Sequence, residues 1–280
     1  MAIVSPEKAL RSNTGQPRAE RSPARSETDA SSLRNLPTKV RDHDGEVVSL
    51  TLNRFSGLAS VAWMVSRMQL AKRPLQRTGA IGLHKLMGTG GGAGFSTRPN
   101  LRVWSLLATW PNGTEAAAAI DASVFRERAA RAEETATLFL APLSSRGSWD
   151  GGGFRSGDDP DPNGPIAALT RASLRPSVLA RFWRRVPSIS RTIEGEAAVR
   201  FMIGMGEVPY LHQVTFSIWD DAEAMRRFSR ESATHGEAVR RAAEEGWFSE
   251  QLFARFRPLG AVGTWNGEPA TALIAPVPSS

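Results

Sequence analysis

The second half of this 280-residue chain repeats the first. At Val103–Glu115 and again at Val214–Glu223, an apolar run ends in tryptophan. Turn residues and an alanine-containing segment follow it in both places. A second pair begins with Leu-Phe and ends in Trp-Asp-Gly or Trp-Asn-Gly, at Leu138–Gly151 and Leu252–Gly267. The offset of about 110 residues is too long for a solenoid repeat and suits a duplicated small domain. Two such units can pack sheet against sheet and enclose an apolar pocket.

The composition excludes several classes of site. The chain has no cysteine, so it has no disulfides, thiolate–metal sites or self-held iron–sulfur clusters. No apolar run approaches the ~20 residues that cross a bilayer, and no apolar secretory signal opens the sequence. We therefore expect a cytoplasmic protein. Its net charge of +7 comes from arginines scattered among glutamates, which disfavours nucleic-acid binding and favours a solvated surface, an acidic partner or an anionic membrane surface.

Composition also suggests the domain organisation. Residues 1–44 contain few large apolar side chains and no aromatic ones, which predicts a disordered segment. We assign residues 45–150 to a first folded unit, the Gly/Asp/Pro-rich residues 151–164 to a linker, residues 165–268 to a second unit and residues 269–280 to a tail.

Hydrophobic periodicity predicts the same element order in both units. In the first unit we expect strands at Val47–Asn53 and Leu101–Trp110, a helix at Leu58–Leu70, a loop at Met87–Phe95 and one long helix at Thr114–Glu134, capped by its first residue. With a closing strand at Thr137–Pro142, the first unit reads β-α-β-β-α-β if a short strand lies near Leu83–Met87, and the second unit repeats this order. The prediction is an α+β fold of two fused ferredoxin-like units, each with its helices on one face of an antiparallel sheet.

The glycine-rich segment contains a loose G-x-G-x-x-A at Gly88, Gly90 and Ala93. A dinucleotide site needs a strand before this motif and a helix directly after it. Pro99 and a predicted strand follow instead, which disfavours phosphate binding. A flexible loop, or a loop folded over a pocket mouth, is the better interpretation.

His235 is the most informative single residue. It follows Thr234 in a capping box completed by Glu237, which fixes it on the first turn of a helix. An imidazole held there can coordinate iron, although a surface histidine is the alternative. His84 and His212 have no partner at metal-ligand spacing.

Strand alternation places Gln213, Thr215 and Ser217 on one face. That face is either a pocket wall or a polar patch beneath a helix.

Longer segments, in order between Val47 and Gly267, resemble the spheroidene monooxygenase family. They are LMGTGGGAGFSTRPNLRVWSLLATWP, PIAALTRASL, RFWRRVPSIS, GMGEVPYLHQVTFSIWDDAEAM, HGEAVRRAAEEGWFSEQLFARF and GTWNG. The resemblance implies a dimeric α/β-barrel-type core. It also implies an oxygenase that places a keto group at C-2 of spheroidene or a related acyclic carotenoid through two successive hydroxylations. Haem b, O2 and reduced ferredoxin are the implied cofactor, co-substrate and electron donor, with transient membrane contact and a location that is cytoplasmic or peripheral to the photosynthetic membrane.

The same resemblance implies roles for individual residues. His235, within a motif shared with the family, becomes the expected axial ligand and so the metal ligand. Arg171 and Ser217 become candidate catalytic residues that act on bound oxygen. Phe201, Phe216 and Trp247 are the candidates for contact with the cofactor. Two other functions stay open, a haem lyase of the aldoxime dehydratase type and a non-catalytic carrier of apolar ligands.

Overall fold

A computed structural model describes residues 38–70, 80–91, 98–184, 198–231 and 245–275. The strands are β1 (Val47–Arg54), β2 (His84–Gly90), β3 (Pro99–Trp110), β4 (Glu134–Gly147), β5 (Ile166–Leu174), β6 (Val199–Gly206), β7 (His212–Trp219), β8 (Phe248–Trp265) and β9 (Glu268–Pro269). The helices include α1 (Thr38–Arg41), α2 (Leu58–Leu70), α3 (Gly113–Ala119), α4 (Ser123–Ala129) and α5 (Ala222–Glu231). Short 3₁₀ turns follow β5 and β9.

Eight of the strands form one closed antiparallel barrel. The first half contributes the order β4-β1-β3-β2 and the second half contributes β8-β5-β7-β6. The outer strands of the two halves then pair, β2 with β6 and β4 with β8. The predicted α+β class is confirmed. The two half-sheets are joined edge to edge, so they share a single interior instead of packing as two separate layers.

Apolar side chains from both halves fill that interior. The shared core includes Leu50 and Leu52 of β1 together with Phe216 and Phe256 of the second half, all fully buried. An eight-stranded barrel has an interior just wide enough for side chains to pack it. Smaller apolar clusters lie on the outside of the wall, beneath the helices.

The repeated sequence segments occupy equivalent places. The first pair forms β3 and β7, and the second pair forms β4 and β8 with the turns that follow them. Asp150 and Gly151 have φ values of 52° and 78°, and Asn266 and Gly267 have values of 56° and 82°. Two consecutive residues with positive φ form the tight turn that Asp-Gly and Asn-Gly favour.

The predicted long helix at 114–134 is wrong in two respects. It is two helices, α3 and α4, and Glu134 already begins β4. The N-cap is Asn112, whose Oδ1 accepts from the Glu115 amide at 2.9 Å, and not Thr114. The break between the helices lets Ile120 and Phe125 both bury against the sheet, which one straight helix would not allow.

Part of the glycine-rich segment is a strand and not a loop. Within β2, Gly88 pairs with Trp104 and Gly90 pairs with Pro99, with an irregular register after Gly88. A Cβ on Gly88 would lie 3.4 Å from the Trp104 ring, so glycine lets the two strands approach across this aromatic residue. Residues 92–97 lie outside the described residues.

No helix within the described ranges is both long and apolar enough to cross a bilayer.

Candidate functional site

Strands β5 and β7 carry the two predicted catalytic residues on opposite faces of the barrel wall. In their register Arg171 lies opposite Val214, and Ala168 lies opposite Ser217. Val214 belongs to the shared interior. Because side chains alternate along a strand, Arg171 points inward and Ser217 points outward. The wall therefore separates the two predicted catalytic residues.

Several outward side chains of β5, β6 and β7 in the second half are small or polar, although the outward side also carries Met202, Trp219 and, on β8, Phe253. We call this surface the second-half face; its members are Ala168, Thr170 and Ala172 of β5, Gly204 of β6, and Gln213, Thr215 and Ser217 of β7. All three β5 members and Thr215 remain partly exposed although they lie within paired strands. We call the area of the short side chains Ala168, Thr170, Ala172, Gly204 and Thr215 the recess.

The corresponding surface of the first half is filled. We call it the first-half face. Register relates large first-half residues to smaller second-half ones: Leu86, Leu106 and Trp104 correspond to Gly204, Thr215 and Gln213, respectively. On β1, Ser49, Thr51 and Asn53 correspond in the same way to Ala168, Thr170 and Ala172. The second-half face carries less volume at five of these six positions and the same residue at the sixth. The change is not uniform, because Ser217 is larger than its counterpart Ala108 and Phe253 of β8 stands where the first half has Thr137.

Polar groups on the first-half face pair with one another. The Thr51 and Thr137 hydroxyls lie 2.9 Å apart, and Asn53 Nδ2 donates to Thr135 Oγ1 at 2.9 Å. These four side chains are buried. Buried polar groups in folded proteins are normally satisfied in this way, so the first-half face is a closed structural surface.

The second-half face keeps free hydrogen-bonding capacity. Thr215 Oγ1 is buried and has no hydrogen-bond partner among the described residues. Ser217 Oγ accepts from Trp219 Nε1 at 2.9 Å, which leaves its own proton available to a further acceptor. An unpaired buried hydroxyl costs stability, and it is expected where a ligand completes the site.

Aromatic side chains border the recess at the β5 end nearest Ala172. The Phe182 and Trp247 rings lie 6.5 Å apart, and those of Trp183 and Tyr210 lie 5.6 Å apart. Trp247 is buried, and its Nε1 donates to Glu245 Oε2 at 2.8 Å. Among the predicted cofactor contacts, Trp247 is thus beside the second-half face.

On the inward side, Arg171 lies in a network of charges around Trp149. Its guanidinium donates to Glu250 and stands 5.5 Å from the centre of the Trp149 ring. The Lys85 ammonium lies 5.4 Å from the centre of the same Trp149 ring. Its Nζ also forms an ion pair with Glu207 Oε1 at 3.0 Å. Arg171 and Glu207 belong to the second half and Lys85 to the first, so this network ties the halves together.

Glu250 responds to two opposing influences. Burial raises the pKa of its carboxyl group. Hydrogen bonds from the Ser148 hydroxyl, the Gly151 amide and the Arg171 guanidinium outweigh burial, so the pKa of Glu250 lies below its ordinary value. The carboxylate is therefore charged across the neutral range and accepts these donors in its ionised form.

The described ranges contain no group of three His, Asp or Glu side chains that could hold a metal ion. His235 itself lies outside the described residues. A haem, which brings four nitrogen ligands of its own, needs only one axial side chain from the protein.

Curated relatives identify the family. A spheroidene monooxygenase of Rhodobacter capsulatus is 44% identical over 226 residues, covering 79% of this chain and 94% of that protein. The same enzyme of Cereibacter sphaeroides is 38% identical, covering 80% of this chain and 70% of the relative. The chain belongs to the spheroidene monooxygenase family. No family model matches it.

Membership in the spheroidene monooxygenase family confirms the predicted oxygenase and does not favour the lyase or the carrier. Solved structures agree on the fold. An aldoxime dehydratase in complex with butyraldoxime superposes with a TM-score of 0.55 at 11% identity, covering 82% of this chain and 85% of that one. A second aldoxime dehydratase gives 0.53 at 10% identity, covering 84% and 90%.

The remaining predicted residues of this spheroidene monooxygenase family member fall on the inward side or away from the second-half face. Phe201 and Phe216 face the interior, with ring centres 6.4 Å apart. His84 Nδ1 lies 3.1 Å from the Gly82 carbonyl oxygen, and His212 Nδ1 lies 3.9 Å from Glu207 Oε2. The roles assigned to these residues, to Trp247 and to His235 stay predictions.

Sequence reasoning missed the β5 side of the recess and Gly204. The signal was present, because Ala168, Thr170 and Ala172 alternate with larger side chains where a fully covered strand would carry bulky residues on both faces. An alignment of β5 with the equivalent strand β1 of the first half would have identified these positions.

Proposed function

We propose that this protein converts the C-2 methylene of spheroidene, or of a related acyclic carotenoid, into a ketone. The name shared by its relatives supports the substrate class. Each of two hydroxylations at C-2 consumes one O2, two electrons and two protons and releases one water. The second produces a gem-diol, which loses water to leave the ketone. Reduced ferredoxin is the proposed electron donor, and the substrate is reached by transient contact with a membrane.

The second-half face is the proposed place of haem b. One observation carries this proposal: the unpaired, buried Thr215 hydroxyl takes the place of Leu106 of the first half, beside Gly204 in the place of Leu86. A flat apolar group with a polar reaction side needs a wall of short side chains with few, well-placed polar atoms. When bound, haem supplies the activation of O2. His235 would hold its iron.

The described residues have proposed tasks at this face. Ser217 Oγ can donate its proton outward, because its acceptor position is already occupied by Trp219 Nε1. Thr215 Oγ1 offers a second donor, and Ala168 and Ala172 provide apolar contact. From the inward side, Arg171 is a positioning residue that fixes β5 through Glu250 and Trp149.

The proposal also includes the origin of the barrel from two fused units. Each half has the strand order 4-1-3-2 with helical segments between its strands, which supports two ferredoxin-like units fused in one chain. The pairs β2–β6 and β4–β8 would then replace the contacts between two separate subunits.

The visible spectrum of the hemin-reconstituted chain tests this function. We expect a stoichiometric Soret band in the wild type, loss or displacement of that band in His235→Ala, and formation of the C-2 ketone from spheroidene when reduced ferredoxin and O2 are supplied. Phe216→Leu distinguishes the two faces of the wall, because it alters the strand of Thr215 from the interior side and should retain the band if haem lies on the second-half face.

Other outcomes would redirect the proposal. Carotenoid binding without a Soret band would indicate the carrier, and turnover of an aldoxime without ferredoxin would indicate the lyase. Loss of the band in Phe216→Leu but not in a Thr215 variant would move the haem to the interior, where Phe201 and Phe216 were predicted to contact it.

A further inference from the structure

One end of the recess is bounded by the packing beneath α5. Ile166, Trp219 and Met225 form a buried cluster there, and Ala168 packs against it. The Trp219 ring lies 5.1 Å from the ring of Phe228, which belongs to α5. A ligand that lies along β5 therefore meets filled space at the Ala168 end of the recess.

The opposite end of the recess, beyond Ala172, borders a chain of aromatic rings. The rings of Trp247 and Phe182 lie 6.5 Å apart, and those of Phe182 and Trp183 lie 5.4 Å apart. The Trp183 ring lies 5.6 Å from the ring of Tyr210. Trp247 is buried, whereas Tyr210 is 46% exposed. The aromatic chain thus leads from the recess to the surface of the protein.

The outer end of this chain lies in the short loop between β6 and β7. Val208 of the same loop is 39% exposed, and Pro209 is exposed as well. Tyr210 has a φ of 65°, which is uncommon for a residue with a side chain. Its carbonyl oxygen accepts from Trp183 Nε1 at 3.1 Å. This contact holds the loop against the neighbouring ring, so the exposed apolar side chains have a fixed place.

The recess is shorter than the proposed substrate. From Ala168 to Ala172 it extends for roughly 13 Å along the strand, whereas an acyclic carotenoid is a considerably longer, extended polyene with C-2 near one end. When C-2 lies against Thr215, most of the polyene must therefore extend beyond the recess. The packing beneath α5 leaves the Ala172 end as its direction along β5.

We propose that the polyene leaves the recess at the Ala172 end and lies against Trp183, Val208 and Tyr210. Aromatic rings offer a conjugated chain a large apolar contact with few rotatable bonds to order. The loop would bind the length of the polyene, while the recess receives its reacting end. This inference rests on the proposed function, because the substrate and the place of its reacting end are those proposed above.

Binding of spheroidene from detergent micelles to the immobilised full-length chain tests this placement, with the retained polyene measured by its visible absorbance. Val208→Ser/Tyr210→Asn removes both exposed apolar side chains, and asparagine tolerates a positive φ. We expect this loop variant to bind spheroidene about tenfold more weakly, because the surface that the polyene would cover becomes polar. Its hemin Soret band should match that of the wild type. In turnover, KM should rise with little change in kcat.

The matched control is Leu101→Ser, which removes a 53%-exposed aliphatic side chain from β3 of the first half. It should bind spheroidene like the wild type. The proposal is overturned if the wild type retains no spheroidene, if the loop variant retains it normally, or if the control loses as much binding as the loop variant. Loss of binding in Phe253→Ser but not in the loop variant would place the polyene across β8 and also overturn it.

The same measurements separate this inference from the proposed function. Spheroidene binding that depends on the loop, in a chain that gives no Soret band with hemin, would refute the proposed haem site and leave the polyene at the loop. A normal Soret band with spheroidene binding that is insensitive to the loop variant would refute only the placement of the polyene.

Discussion

The two halves of the barrel share a strand order but use their outer faces in opposite ways. On the first-half face, leucine and tryptophan side chains fill the space beneath the helices and the polar groups pair with each other. On the second-half face, the positions of Leu86, Leu106 and Trp104 carry smaller side chains, and one of these is a threonine with an unpaired hydroxyl. A duplicated scaffold allows one copy to supply packing while the other departs from good packing to form a site.

The same substitution at equivalent threonines gives the largest expected contrast. Thr51→Leu overpacks the first-half face and leaves the Thr137 hydroxyl unpaired, at a combined cost of about 2–5 kcal/mol in the free energy of unfolding. Thr170→Leu enters the recess and should change stability by less than about 1 kcal/mol. It should instead weaken hemin binding by about tenfold, equivalent to about 1.4 kcal/mol.

Urea unfolding and hemin titration of both variants measure this contrast. Equal destabilisation by the two substitutions would show that the second-half face is as closely packed as the first. Unchanged hemin binding in Thr170→Leu would remove the cofactor from this face.

A smaller effect is expected from removing single hydroxyls. Thr137→Val leaves Thr51 Oγ1 without its partner and should cost about 1–2 kcal/mol. Thr215→Val removes a hydroxyl that has no partner and should leave stability unchanged or raise it by up to about 1 kcal/mol. Thermal unfolding of the cofactor-free chains gives the comparison, and a loss of stability in Thr215→Val would reveal a hidden partner for that hydroxyl.

The smallest expected effect is the loss of the stability contributed by Glu250 at acid pH. Because the pKa of Glu250 is lowered in the folded state, its contribution to stability is present above the ordinary carboxyl pKa and is lost as pH falls through the lowered value. The stability difference between wild type and Glu250→Gln should therefore be largest near neutral pH and shrink in acid. Unfolding titrations at several pH values test this, and a difference independent of pH would assign the effect of the substitution to packing.

The sequence was informative wherever a signal was local or repeated. Tryptophans at the ends of β3 and β7 and the Trp-Asp-Gly and Trp-Asn-Gly turns identified the duplication, because these residue types meet fixed backbone requirements. Period-two alternation also grouped Gln213, Thr215 and Ser217 correctly on one side of β7. Those features depend only on neighbouring residues.

The features that the sequence did not predict depend on pairing between strands that are far apart in the chain. Alternation shows that Arg171 and Ser217 belong to strands, but the relative register of β5 and β7 decides that they lie on opposite faces. A buried arginine in the interior is tolerated because Glu250, far away in sequence, supplies a charge partner. Similarly, β2 looked like a glycine-rich loop because its pairing with Trp104 is visible only in the folded chain.

The closure of the barrel has a consequence for each half taken alone. A chain cut within residues 151–165 would leave β2 and β4 of the first half with exposed backbone donors and acceptors, the same groups that now bind β6 and β8. Unpaired strand edges of this kind pair readily with strands of other chains. Separately produced halves should therefore reassociate into the intact ring when mixed, and a first half on its own should assemble with a second copy of itself.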